Sequence, residues 1–93
     1  MKIVITSIFL VRVSEQVRFI AIDKPTAAKK FKKDLISNIK KDLKFPFQFK
    51  KSFYFNDENK RDYIFKGYAS ICEVDLEKNI VTVFGFIKYM ENL

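Results

Sequence analysis

Arg61, Lys66, Tyr68, Lys88 and Tyr89 are the residues of this chain best suited to chemistry. A cluster of Arg, Lys and Tyr can hold a phosphate, stabilise charge developing on phosphorus, and stack a base. RNA cleavage by 2′-hydroxyl attack needs little beyond such a cluster and a proton acceptor. A lysine whose surroundings depress its pKa can be that acceptor. It can take that role without histidine, of which the chain has none. That absence excludes serine–histidine and cysteine–histidine hydrolysis within the chain. The plainer alternative for each of the five is a strand end or a surface side chain. Asp57 with Glu58, and Glu73 with Asp75, fall at a polar turn and a strand end, and read as solvated rather than as acid–base pairs. There is no Gly-rich phosphate loop and no metal-ligand spacing, so no metal and no cofactor is expected. The single cysteine, Cys72, excludes an internal disulfide and a multi-thiolate zinc site. Within an apolar run it reads as a small buried hydrophobe.

A second set of candidates is electrostatic. The chain carries 18 Lys and Arg against 11 Asp and Glu, a net charge of +7. Residues 24–51 hold ten lysines and two aspartates, a net of +8, so the remainder nets −1. Lys29, Lys30, Lys32, Lys33, Lys40, Lys41, Lys50 and Lys51 are the expected contacts to nucleic acid or another anionic target. A solvated helix face is the bland reading. Here the acidic residues that would form i,i+4 pairs are nearly absent, so the lysines repel one another, which favours a real anionic partner.

The elements that position these groups follow from periodicity. Arg61–Lys88 reads as a three-stranded meander. Its runs are Arg61–Lys66, Tyr68–Val74 and Ile80–Lys88, with a turn at Lys66-Gly67 and a polar loop over Asp75–Asn79. Such a sheet needs one face covered. Ala28, Phe31, Leu35, Ile39 and Leu43 form an apolar stripe that predicts a helix from Pro25 to about Lys44, ended by Phe45-Pro46. Before it, residues 8–22 are expected to be helical with Ser7 as N-cap. Phe9, Val13, Val17 and Ile20 or Ala21 recur on one side, while Arg12, Glu15 and Gln16 share another. A continuous strand from Ile3 to Val13 is the competitor. Lys2–Thr6 reads as a strand in either case. Phe47–Phe55 is left as a loop or a short edge strand.

The fold class expected is α+β, in a single domain over residues 1–93. It comprises an N-terminal strand, an antiparallel helix hairpin, then a three-stranded antiparallel meander (β-α-α-β-β-β). Fifteen aromatics, eleven of them Phe, suggest a core of large side chains. The apolar run Ile3–Val11 is too short to span a bilayer, and no small-x-small cleavage site follows it. A cytoplasmic protein with no membrane partner is expected.

With that order of elements come the strings DKPTAAKKF, LKFP, RDYIFKGYASICEVD and IVTVFGFIK. Together they resemble the RelE/ParE superfamily of type II toxin–antitoxin toxins over nearly the whole chain, and the ParE-like branch more than the RelE-like one. The resemblance implies a growth-inhibiting toxin that binds an essential target, DNA gyrase in the ParE manner. The alternative it implies is a RelE-like ribosome-dependent mRNA endonuclease. A non-toxic nucleic-acid- or protein-binding module is the third possibility. Arg61 matches the arginine that commonly opens the second strand, and Tyr68 the tyrosine after the turn glycine. Cys72 stands where a second tyrosine is common. Lys88 stands near a frequent histidine or arginine. The family's usual partner is a cognate antitoxin encoded by a neighbouring gene. Its C-terminal segment is expected in the groove between helix hairpin and sheet, with Phe47, Phe49, Phe53 and Phe55 as candidate contacts.

Overall fold

A computed structural model describes residues 1–89. The element order is β1 (Lys2–Ile5), α1 (Ser7–Asp23), α2 (Pro25–Asp42), a 3-10 turn (Pro46–Gln48), β2 (Lys60–Phe65), β3 (Tyr68–Asp75) and β4 (Ile80–Lys88). This is the expected α+β order. The four strands form one mixed sheet in the order β1-β4-β3-β2. Strands β2, β3 and β4 are the antiparallel meander, and β1 joins its edge parallel to β4. A parallel neighbour needs a crossover, and the helix hairpin provides it.

The chain leaves the sheet and enters α1 through one residue. The Thr6 hydroxyl donates to the Val83 carbonyl at 3.2 Å and accepts the Phe9 N–H at 3.1 Å. Thr6 is therefore the N-cap, one position earlier than the expected Ser7, which is instead the first helical residue. The reason is that Thr6 still reaches the sheet while satisfying an orphan helix donor. The competing strand over Ile3–Val13 does not form, since β1 stops at Ile5.

A single residue, Lys24, separates the two helices. Its N–H donates to Ile20 at 2.9 Å and its carbonyl accepts from Ala28 at 2.9 Å. Pro25 follows at the first helical position, where its missing N–H costs nothing. The predicted stripe on α2 is buried: Ala28, Phe31, Leu35, Ile39 and Leu43 are at most 6% exposed. Phe31, Leu35, Ile39 and Leu43 form one core with Phe9 and Val13 of α1 and Tyr63, Cys72, Val81 and Val83 of the sheet.

Two backbone devices set the sheet. Lys66 and Gly67 both have positive φ, 48° and 84°, the pattern of a type I′ hairpin turn. In β4 there is a bulge: Cys72 pairs with Val83 and Ile71 with Gly85, so Phe84 is skipped. Before the bulge Val81 and Val83 face the helices. After it, Phe86 does, packing edge-on to Phe9 at 5.7 Å and stacking on Tyr68 at 5.1 Å.

Candidate functional site: a basic cleft and a lysine face

The bulge also decides what stands beside Tyr68. Tyr68 pairs with Lys88 across β3 and β4, two positions beyond the Ser70–Phe86 pair and on the same face. Both side chains line a cleft of about 330 Å³ between the end of the sheet and α1. Arg12, Glu15 and Gln16 line it from the helix, with Phe19 and Phe86 as aromatic walls. Tyr68 is held by its ring, stacked on Phe86 and edge-on to Phe31 at 5.4 Å. The cleft thus offers two cations, a phenol, a carboxylate and flat apolar walls. Arg12 and Lys88 can bind anionic oxygens, Glu15 can accept a proton, and Phe19 can lie against a ring.

The five sequence candidates do not all meet there. Lys66, Tyr68, Lys88 and Tyr89 gather at one end of the sheet. Tyr89 is fastened to the hairpin tip by its N–H, which donates to the Gly67 carbonyl at 2.8 Å. The Lys66 ammonium lies over the Phe65 ring at 5.5 Å. Arg61 sits apart, opposite Cys72, four positions from Phe65, which is roughly 13 Å along a strand. Its Nε and Nη2 donate to the Glu58 carbonyl at 3.0 and 2.8 Å, and its Nη1 to the Phe49 carbonyl at 3.1 Å. Its guanidinium lies over the Phe47 ring at 4.8 Å. So engaged, Arg61 braces the segment before β2 rather than facing a ligand.

Sequence reasoning left Arg12, Glu15 and Gln16 out of the site, although it placed them on one sector of the helix. The missing signal was which end of the sheet that sector would oppose.

Lys29, Lys30, Lys32, Lys33, Lys40, Lys41, Lys50 and Lys51 are all exposed. Lys51 is engaged, 3.5 Å from the Glu58 carboxylate and 3.2 Å from Asn56 Oδ1. Lys41 stands 4.0 Å from Asp42, and Lys32 donates weakly to Ser14 at 3.5 Å. Among the described residues the other five have no acidic group within ion-pair distance.

The four phenylalanines divide. Phe49 packs into the core, edge-on to Tyr63 at 5.2 Å. Phe47, Phe53 and Phe55 are 42%, 66% and 38% exposed. Phe53 and Phe55 lie over the other face of the sheet, away from the helices. There Phe55 meets Phe84 at 5.8 Å and Lys60 at 5.3 Å. They therefore do not line the groove between hairpin and sheet. Phe53 borders a second cavity of about 570 Å³, together with Phe49, Asp62, Ile64 and Tyr89. Asp62 is 6% exposed; its Oδ2 accepts the Phe53 N–H at 2.8 Å, while Oδ1 has no partner among the described residues. Burial, then the nearby Asp62 and Tyr89, push the Tyr54 phenol above its ordinary value.

Cys72 is wholly buried, and burial pushes its thiol up to about 11. It is therefore not a nucleophile at neutral pH. Among the described residues no group of three His, Cys, Asp or Glu is placed to hold a metal ion. No described helix is long and apolar enough to cross a membrane. Comparison with protein-family models, with curated proteins and with solved structures finds no match to this chain.

Proposed function

We propose that this chain is the toxin of a type II toxin–antitoxin pair, ParE-like in its action, which inhibits growth by binding an essential target, DNA gyrase. The observation that carries the reading is the arrangement of the whole chain. A strand, a helix hairpin and then a three-stranded meander are the order the resemblance implies. The dispersal of the candidate set favours binding over chemistry. Arg61 is committed to the Glu58 and Phe49 carbonyls and stands apart from the Tyr68–Lys88 cleft. The lysine face of α2 supplies long-range attraction to an anionic surface, including the DNA that gyrase holds. A cognate antitoxin from a neighbouring gene is the natural neutralising partner.

The test is a supercoiling assay with purified gyrase and the full-length chain, alongside induced expression in cells. Blocked supercoiling or trapped cleaved DNA, with arrested growth, is the expected result. Unimpaired gyrase at excess protein removes the reading.

The cleft favours one second reading, a RelE-like ribosome-dependent mRNA endonuclease. Arg12, Tyr68 and Lys88 would hold the scissile phosphate, with Glu15 as proton acceptor. Toeprinting on translating ribosomes would then show A-site cuts that Lys88→Ala and Arg12→Ala weaken and Arg61→Lys does not. Harmless expression with normal translation and supercoiling would leave a nucleic-acid- or protein-binding module.

A further inference from the structure

Helix α1 is apolar on two opposite sides. Phe9 and Val13 face the sheet and are wholly buried. On the far side Ile8, Val11 and Ile22 are 56% to 78% exposed, and Phe19, 70% exposed, stands at the edge of that face where it borders the cleft. Three large apolar side chains on one face of one helix, with a fourth at its margin, are more than a scatter of surface hydrophobes. Ile8, Val11, Glu15, Arg18 and Ile22 alternate in steps of three and four, the spacing of a helix–helix seam. Phe19 stands beside that line.

We propose that the outward face of α1 is a two-fold interface through which two copies of this chain associate, their α1 helices antiparallel. The charge pattern selects a second copy as the occupant. Glu15 and Arg18 lie at the middle of the stripe, with apolar residues on either side. Among the described residues neither has an ion-pair partner within 4.0 Å. In an antiparallel pair centred between residues 16 and 17, each Glu15 faces Arg18 of the partner subunit, and each Val11 faces Ile22 of the partner subunit. A parallel pair would set like charge against like. The stripe is thus complementary to itself in one orientation only, which an isologous interface requires.

Net charge agrees. Residues 7–23 carry Arg12 and Arg18 against Glu15 and Asp23, a net of zero. Two copies can therefore approach through α1 despite the +7 on each chain. An acidic partner helix would instead be drawn to α2, where the excess lysines are. The face is modest in size, with roughly a few hundred Å² of apolar surface per copy, which fits association at high micromolar concentration rather than a permanent dimer. The central ion pair fixes register, and the apolar residues supply most of the association energy.

This inference stands apart from the toxin reading, and its test needs no target. Sedimentation equilibrium of the full chain is expected to give twice the 11.0 kDa chain mass at high micromolar concentration. Glu15→Arg and Arg18→Glu should each weaken the dimer by about tenfold or more, because each places like charges together twice. The double charge swap should restore it. Ile22→Lys, at the exposed end of the helix, should give monomer with unchanged circular dichroism, which separates loss of the interface from loss of the fold. A wild-type chain that stays at 11.0 kDa, or a dimer indifferent to both single reversals, overturns the proposal.

Discussion

Asp62 shows how one side chain can hold a loop. It is almost fully buried, yet among the described residues one of its oxygens is used, by the Phe53 N–H, and the other is not. That bond anchors the long segment before β2, which also leans on the Asp62 N–H donating to the Lys50 carbonyl. Asp62→Ala would leave a partly buried N–H unsatisfied and is expected to cost about 1–3 kcal/mol of stability, measured by urea unfolding. Asp62→Asn keeps an acceptor oxygen and should cost less. Cys72 and Tyr63 give a pH dependence. Burial raises both, and Tyr63 is held further in its protonated form by the bond it donates to Asp42 at 2.6 Å. Above pH 9.0 the unfolded chain loses the thiol proton while the folded chain keeps it. The unfolded state then binds fewer protons, so stability falls as pH rises. Thermal unfolding should show this loss between pH 9.0 and about 11, with Cys72→Ala flattening the earlier part of the fall.

At the scale of the element, the bulge in β4 has the widest consequences. It turns the strand by one position, so that Phe86 and Lys88, rather than Gly85 and Ile87, continue the row begun by Val81 and Val83. Gly85 permits this because a Cβ there would stand 3.1 Å from Ile71 Cδ1 and 3.2 Å from its Cβ. A β-branched side chain would force Ile71 out of place. Gly85→Val is expected to destabilise by about 1–3 kcal/mol, read from the urea midpoint, and to disturb the packing of Tyr68 against Phe86. A loss of stability with native near-ultraviolet dichroism would mean that the ring stack survives. Helix α1 is the other element whose behaviour exceeds its pattern. Its second apolar face is why a strand over Ile3–Val13 stands as a competitor to the helix in the sequence.

Over the whole molecule, the shortest extent of 20 Å fits two layers, helices on one side and the sheet on the other. Six of the eight candidate lysines, all but Lys50 and Lys51, lie on α2, so most of the charge asymmetry along the chain is gathered on one helix. Lys29, Lys33 and Lys40 share one side of α2 by helical spacing. Changing the three to Gln should weaken binding to labelled single-stranded RNA and lower the slope of log K against log salt by about 2, given roughly 0.7 per lysine. Fluorescence anisotropy across a salt series would measure it. An unchanged slope would place the contact elsewhere on the molecule.

The order of elements, the α2 stripe, the turn at Lys66-Gly67 and the placement of excess charge were all legible in the residues. Each depends on near neighbours: periodicity along one helix, the φ that glycine tolerates, the local count of lysines. Cys72 was legible as core for the same reason. Three features were not. The Thr6 cap depends on a bond to Val83, 77 residues away. The use of Arg61 as a brace depends on a loop folding back beneath it. The meeting of Arg12 and Glu15 with Tyr68 and Lys88 depends on a bulge that no local propensity marked. Short-range forces select elements, but the side chains that share a cleft are chosen by register and by how layers dock, and those are settled only when distant parts of the chain touch.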